Sequence, residues 1–202
     1  MEEVFTHIYE KSIWGTNYNN HYKGSSGYGS SINYNKDTYI PFLKKFIIEN
    51  DIKTIVDLGC GDFICGPYIY SDLSDIKYKG YDTYKKIIEF NSTQYPKSKF
   101  EFIHLDFYNK KEEIEEGDLC ILKDVLQHWP LEYIYNFLDY LVKSKKFKKI
   151  LICNCSINQT EDNTDINIGN WRHLNSNYLP LKKYKAKKIY EYDTKEVSII
   201  EL

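Results

Sequence analysis

Arginine is almost missing from this sequence: of 27 cationic residues, 26 are lysine and one is Arg172. Lys, Asn, Ile and Tyr are abundant, a bias typical of AT-rich coding sequence. The surviving guanidinium is therefore expected to do something an ammonium cannot, such as a bidentate grip. Long apolar runs are missing too, and none approaches the roughly 20 residues that span a bilayer. Met1-Glu2-Glu3-Val4 lacks the basic-then-apolar order of a signal peptide. The five cysteines, Cys60, Cys65, Cys120, Cys153 and Cys155, form no disulfide framework, and Cys153-Asn154-Cys155 has the wrong spacing for a zinc or redox pair. These absences point to a reduced, cytoplasmic protein with no membrane partner. Charge imbalance is absent as well. A formal charge of -2 leaves no global basic field to draw nucleic acid.

What is present suits one soluble domain: 202 residues, 42% hydrophobic and 28% charged. Its organising stretch is Thr54-Ile55-Val56-Asp57-Leu58-Gly59-Cys60-Gly61-Asp62, an apolar run that ends in an acid and two glycines before a helix-like segment. In an open α/β sheet such a turn lies at the carboxyl edge, where ligands bind. Gly59 and Gly61 are expected to let the backbone approach a ligand closely. A dinucleotide loop would want a third glycine at position 64, where Ile64 stands, so a phosphate-free, cationic ligand fits better.

Residues 1–36 are rich in aromatic, Asn, Gly and Ser residues. Trp14, Tyr18, Tyr22 and Tyr28 carry too much apolar area for a solvated tail, so this arm is read as a lid over the ligand edge of a domain at 37–202. Apolar spacing predicts a helix over Asp37–Asn50, with Asp37 as N-cap and Pro41 in its first turn, and others over 63–71, 84–93 and 131–142. Strands are expected at 53–58, 77–81, 100–105, 118–122 and 149–155. Residues 187–192 and 196–202 read as a closing hairpin. The expected fold is a Rossmann-like three-layer α/β sandwich, a mostly parallel seven-stranded sheet with a final antiparallel hairpin. The aperiodic stretch from Asn158 to Pro180 is long enough to be functional.

Four acids, Asp57, Asp82, Asp106 and Asp124, fall at or just past strand ends and are expected to face one edge. Asp82 follows Asp57 by 25 residues, close to the spacing at which a carboxylate grips both ribose hydroxyls. His128 lies four residues after Asp124, and on a helical turn the pair could act as base and orienting acid. No spaced set demands a metal, and none is expected.

The Asp57-Leu58-Gly59-Cys60-Gly61 pattern resembles motif I of class I S-adenosylmethionine (SAM) methyltransferases. Trp14-Gly15, Ser26-Gly27-Tyr28-Gly29-Ser30, Lys123-Asp124-Val125-Leu126-Gln127-His128 and Trp171-Arg172-His173-Leu174-Asn175 extend the likeness over nearly the whole chain. Together they look like small bacterial and viral methyltransferases associated with glycan and small-molecule biosynthesis. The sequence departs from that pattern at Lys123, where arginine is common, and at His173, where proline is common. The resemblance implies SAM as cofactor and S-adenosylhomocysteine as product. It puts Gly59 and Gly61 around the methionine portion, with Asp57 nearby, and counts Cys60 and Trp14 among the cofactor-binding residues. Asp82 would take the ribose, Asp106 and the Phe107 amide the adenine, and the Lys123 carbonyl would face the methionyl end.

For catalysis, His128 with Asp124 is expected to assist deprotonation during in-line methyl transfer to O or N of a small metabolite, a sugar or nucleotide-sugar being favoured. Tyr28, Trp171, Arg172 and Asn175 are the substrate-binding candidates: an arginine fork holds phosphate or carboxylate, and an indole stacks on a sugar or base. Two further readings fit the same residues, an RNA or cap methyltransferase and a SAM-binding regulatory subunit without chemistry. Near-neutral charge and the lack of a basic aromatic stripe weigh against the first.

Overall fold

Alternation along the central strands sorts the core into two layers. A computed structural model describes residues 1–17, 19, 21–157 and 159–202; Tyr18 of the aromatic arm and Asn158 of the long loop lie outside the described residues. The chain opens with α1 (Glu2–Glu10), α2 (Ile32–Asn35) and α3 (Tyr39–Glu49), then enters β1 (Thr54–Leu58). There follow α4 (Gly66–Tyr70), β2 (Lys77–Asp82), α5 (Lys85–Gln94), β3 (Phe100–His104), β4 (Gly117–Lys123), α6 (Leu131–Ser144) and β5 (Phe147–Cys155). The hairpin of β6 (Lys187–Tyr192) and β7 (Lys195–Glu201) ends it. Strand order is β3-β2-β1-β4-β5-β7-β6, with β1 to β5 parallel and β7 antiparallel to both of its neighbours. The seven-stranded α/β sheet is the one expected from the sequence.

Successive residues of a strand face opposite sides of a sheet. Ile55, Ile121 and Leu151 accordingly pack with Leu43 and Ile47 of α3 and with Ile69 and Tyr70 of α4. Val56, Leu58, Leu122 and Ile150 pack on the other face with Ile134, Phe137, Leu138 and Leu141 of α6. The α6 residues recur at helical spacing and are fully buried, each contributing about 1.5–3 kcal/mol.

Two local expectations are corrected. Asp37 does not cap α3: Thr38 holds that position and no side chain caps the helix, while Asp37 is exposed. The arm also begins with a helix that its Asn- and Gly-rich surroundings hid. Phe5, Ile8 and Tyr9 of α1 are buried, and Phe5 and Ile8 join the α6-side core. Among the described residues no helix is long and apolar enough to cross a membrane.

Candidate active site

The strand order reverses between β1 and β4, and a cavity enclosing about 580 Å³, part of it continuous with solvent, opens at the carboxyl ends beside that switch point. Gly59, Cys60 and Gly61 line it, as do Asp82 and Thr83 at the end of β2 and Lys123 and Asp124 at the end of β4. The turn after β1 is bent over β2: the Gly59 and Cys60 amides both donate to the Tyr81 carbonyl, at 2.8 and 3.0 Å. Gly59 and Gly61 have φ of +87° and +54°, the left-handed region that favours glycine. The space left by their missing side chains is filled by protein. A Cβ at Gly59 would lie 2.5 Å from Val125 Cγ2, and one at Gly61 would overlap the Ser26 hydroxyl.

Ser26 brings the arm onto the glycine turn. Its hydroxyl meets the Tyr9 hydroxyl at 2.9 Å and accepts from the Asp62 amide at 2.9 Å, while its own amide donates to Asp62. Tyr9 stacks on Tyr84 with ring centroids 4.6 Å apart, and Trp14 lies 5.8 Å from both Phe5 and Tyr9. Phe5, Tyr9 and Trp14 thus wall one side of the cavity, with Phe107 and Trp129 also lining it.

The four acids near the carboxyl edge serve different places. Asp82 is buried in the cavity wall, with one carboxylate oxygen accepting from the Gly61 amide at 3.0 Å and the other from the Tyr84 amide at 2.9 Å. Burial raises its pKa above the ordinary carboxylate range. Asp57 faces the α3–α4 side, where it lines a neighbouring cavity with Asp62, Cys65 and Tyr70. Burial pushes it up to about 6 despite the 2.7 Å bond it accepts from the Tyr78 hydroxyl. Asp106 is not in the cavity wall. It accepts from the Glu2 amide at 3.3 Å and from the Asn109 amide and side chain, which outweigh its burial and lower its pKa. The adenine role expected of Asp106 therefore has no lining atom behind it, whereas Phe107 next to it is in the wall.

Asp124 is the centre of an ion cluster. Its carboxylate meets Lys195 on one oxygen and Lys123 at 2.6 Å on the other. Burial opposes its charge, but the two ammoniums hold it down at about 2. Lys123 Nζ also donates to the Gly29 carbonyl at 2.9 Å, tying the arm to β4. Asp124 does not orient His128 as expected. Its backbone is left-handed (φ 58°) and a 3₁₀ turn follows at Leu126–His128, so the spacing of four that aligns side chains on an α-helix does not apply. His128 is held instead by the long loop: its Nδ1 lies 2.9 Å from the Asn170 carbonyl, which can only accept, so Nδ1 carries the proton and Nε2 is the basic atom. Gln127 Nε2 stands 3.4 Å from it. Burial lowers the His128 pKa below the ordinary imidazole value, which keeps the ring neutral.

A second cavity of about 590 Å³ shares Trp14, Ser26, Asp124 and His128 with the first and continues to Cys155, Lys195 and Trp171. Of the four substrate-binding candidates, Trp171 lines it and is 49% exposed. Tyr28 is 71% exposed outside the lining, edge-on to Tyr34, between Gly27 and Gly29, which do line it. Arg172 and Asn175 are corrected: both are buried and engaged elsewhere. The Arg172 guanidinium donates to the Thr164 and Trp129 carbonyls, and the Asn175 amide group bonds to Gln159 and Asn177. Arginine is needed there because its planar fork reaches two carbonyls at once, so the sequence bias pointed to a real demand but to the wrong partner.

Lys195 and Ser26 were missed. A lysine beginning a strand after Asp193-Thr194 reads as solvated, and only its partner 71 residues away reveals otherwise. Among the described residues no three His, Cys, Asp or Glu side chains are grouped to hold a metal.

No protein-family model and no curated protein sequence matches this chain. Solved structures do resemble it. The methyltransferase domain of bacterial CtHen1-C aligns with a TM-score of 0.59 at 14% identity, covering 81% of this chain and 96% of that one. An O-methyltransferase family protein from Burkholderia thailandensis aligns at 0.61 and 11% identity over 86% of this chain and 58% of that one. Human N-acetylserotonin methyltransferase, solved in complex with SAM, aligns at 0.57 and 14% identity over 81% and 54%. This chain thus spans a little over half the length of the last two. At these identities the likeness is one of fold, and the fold is the Rossmann-like one of class I SAM-dependent methyltransferases.

Proposed function

We propose that this protein is a SAM-dependent methyltransferase acting on oxygen or nitrogen of a small hydroxylated or amino molecule, the class that includes the sugars and nucleotide-sugars suggested by its sequence. The observation that carries the reading is the pair of cavities that meet at Trp14, Ser26, Asp124 and His128. A donor and an acceptor placed in two such cavities would approach each other across one wall, the arrangement that in-line displacement requires.

The first cavity suits the cofactor. Trp129, in its wall, has an indole Nε1 that is buried without a partner. Asp82 presents a buried carboxylate that the Gly61 and Tyr84 amides hold in place and that, as an acceptor-only group, suits ribose hydroxyls. The rings of Phe107 and Trp129, stacked with centroids 5.9 Å apart, and Phe5 form an apolar end for a flat base. When bound, SAM supplies a methyl group on an electron-poor sulfonium.

The chain's own residues do the rest. Tyr9, Trp14 and the arm cover the edge of the sheet, and the Trp14 ring lies tilted by 37° against His128 with centroids 4.8 Å apart. The Asn170 carbonyl fixes the His128 tautomer so that Nε2 can take a proton from an acceptor hydroxyl. Calorimetric titration with S-adenosylhomocysteine tests the cofactor reading. Asp82→Ala is expected to weaken that binding by about 1–3 kcal/mol, and Asp82→Asn, which keeps one acceptor, by less. A wild-type protein that does not bind S-adenosylhomocysteine, or an Asp82→Ala variant that binds it equally well, overturns the assignment.

A further inference from the structure

Gln127, next to the proposed base, is held at both ends. Its backbone carbonyl accepts from the Arg172 amide at 3.1 Å, and the His128 carbonyl accepts from the Gly169 amide at 2.8 Å. The Gln127 side chain, 4% exposed, reaches the end of β5, where Oε1 accepts from the Cys155 amide at 2.9 Å. A backbone N–H can only donate, so the side-chain oxygen is the atom that meets it, and the amide nitrogen stands 3.4 Å from His128 Nε2. His128 is fixed from its other side. Nδ1 donates to the Asn170 carbonyl, which leaves Nε2 able only to accept. Three bonds therefore run in one direction: Cys155 amide to Gln127 Oε1, Gln127 Nε2 to His128 Nε2, and His128 Nδ1 to the Asn170 carbonyl. An imidazolium, with a donor at each nitrogen, would set one N–H against another. Gln127 cannot turn its oxygen toward that ring without leaving the β5 amide unpaired.

On the methyl-transfer reading, we infer that Gln127 is a positioning residue: anchored on β5, its amide N–H occupies the lone pair of His128 Nε2 until an acceptor hydroxyl in the second cavity takes its place. Both residues line that cavity. At 3.4 Å the bond is long and yields readily to an O–H donor. Nε2 has a single lone pair, so the acceptor replaces Gln127 rather than joining it. The hydroxyl proton then passes to Nε2 as the oxygen bonds to the methyl carbon and the methyl–sulfur bond breaks, its electron pair going to sulfur. Gln127 meets the resulting imidazolium with a donor, so the proton moves on to solvent and the ring returns to its neutral state. The charges facing His128 work against each other: Asp124, after β4, favours the imidazolium, and Lys195 of β7 opposes it. The other titratable side chains lining the two cavities that the ring borders are Tyr9, Cys60, Asp82, Lys123 and Cys155.

Nitrogen NMR of the histidine rings, titrated over pH in the protein without cofactor or acceptor, tests the relay. The chain has five histidines, and the signal missing from His128→Asn is the one to follow. In the wild type the neutral ring is expected to carry its proton on Nδ1 and to titrate below the ordinary 6.5. Gln127→Met keeps the length of the side chain and removes the donor. Its midpoint should rise by about half a unit to one unit, the effect of losing a bond made only to the neutral form. Gln127→Glu keeps an oxygen for the Cys155 amide and turns a second one toward Nε2, and its midpoint should rise by about one unit or more. A side chain that merely fills space would leave the Gln127→Met midpoint where it was. If neither variant folds, the wild-type tautomer and midpoint decide. An unmoved or lowered midpoint in Gln127→Met, no rise in Gln127→Glu, a wild-type proton on Nε2, or a wild-type midpoint at or above 6.5 overturns the inference. The methyl-transfer reading fails separately: the expected titrations in a protein that does not bind S-adenosylhomocysteine would leave the relay standing and remove the reaction it serves.

Discussion

Replacing Asp124 by asparagine keeps the shape of the ion cluster and removes the carboxylate charge that Lys123 and Lys195 share. Asp124 is 14% exposed, Lys123 15% and Lys195 3%, so solvent screens the stranded ammoniums poorly. The carboxylate is depressed from an ordinary 3.8 to about 2, which amounts to roughly 2–3 kcal/mol of stability. Breaking a buried pair while its partner stays behind costs more, about 3–5 kcal/mol, and two ammoniums left facing each other put Asp124→Asn at that level near pH 7. Urea unfolding followed by tryptophan fluorescence measures it. The sign of the pH dependence is fixed by the depressed carboxylate: its contribution is complete above its unfolded value and is lost as pH falls. The gap between wild type and variant should therefore hold constant above about pH 5 and narrow by roughly 2–3 kcal/mol between about pH 4 and pH 2. Adding Lys195→Gln to Asp124→Asn removes the more buried ammonium and should recover at least about 1 kcal/mol over the sum of the single changes. A variant within about 0.5 kcal/mol of wild type at neutral pH, or a gap that ignores pH, would refute the cluster's role.

Two further outcomes bear on the site. His128→Ala is expected to retain S-adenosylhomocysteine affinity and lose about 100-fold in turnover. In the wild type, because burial lowers the His128 pKa, activity should rise with pH through a midpoint below the ordinary 6.5 and then stay flat; a midpoint above that value argues for another base. In Arg172→Lys one compact ammonium replaces the two spaced nitrogens that reach the Thr164 and Trp129 carbonyls, so a loss of about 1–3 kcal/mol in stability is expected with acceptor KM changed less than about twofold. A raised KM at full stability would return Arg172 to the substrate.

β1, β3 and β4 were legible because each is a short apolar or alternating run closed by an acid or a glycine, a pattern set by residues that touch one another along the chain. The same holds for α6, whose Ile134, Phe137, Leu138 and Leu141 show the helical period directly. The α1 signal was present in Phe5, Ile8 and Tyr9, with Glu2 and Glu3 in the first turn, but the Asn-, Gly- and Ser-rich stretch after it suggested a looser arm. The conformation at Asp124 was not legible: nothing in Lys123-Asp124-Val125 announces a left-handed residue, and assuming an α-helix there misdirected the Asp124 carboxylate toward His128.

Long-range pairing explains the remaining difference. Asp124 is satisfied by a lysine from β7, and His128 by a carbonyl from the long loop, 42 residues on. The loop reaches that position through backbone bonds, from Gly169 N to the His128 carbonyl, from Arg172 N to the Gln127 carbonyl and from Leu174 N to the Cys155 carbonyl. Arg172, expected to grip a substrate, instead clamps this loop against Trp129, beside the histidine it orients. The loop thus meets His128 through its backbone, with Trp171 as the one side chain from its Trp-Arg-His-Leu-Asn segment that lines the cavity beside it. A residue type predicts what a group can do; which partner it meets is decided by the sheet order that brings β4, β5 and β7 to one edge.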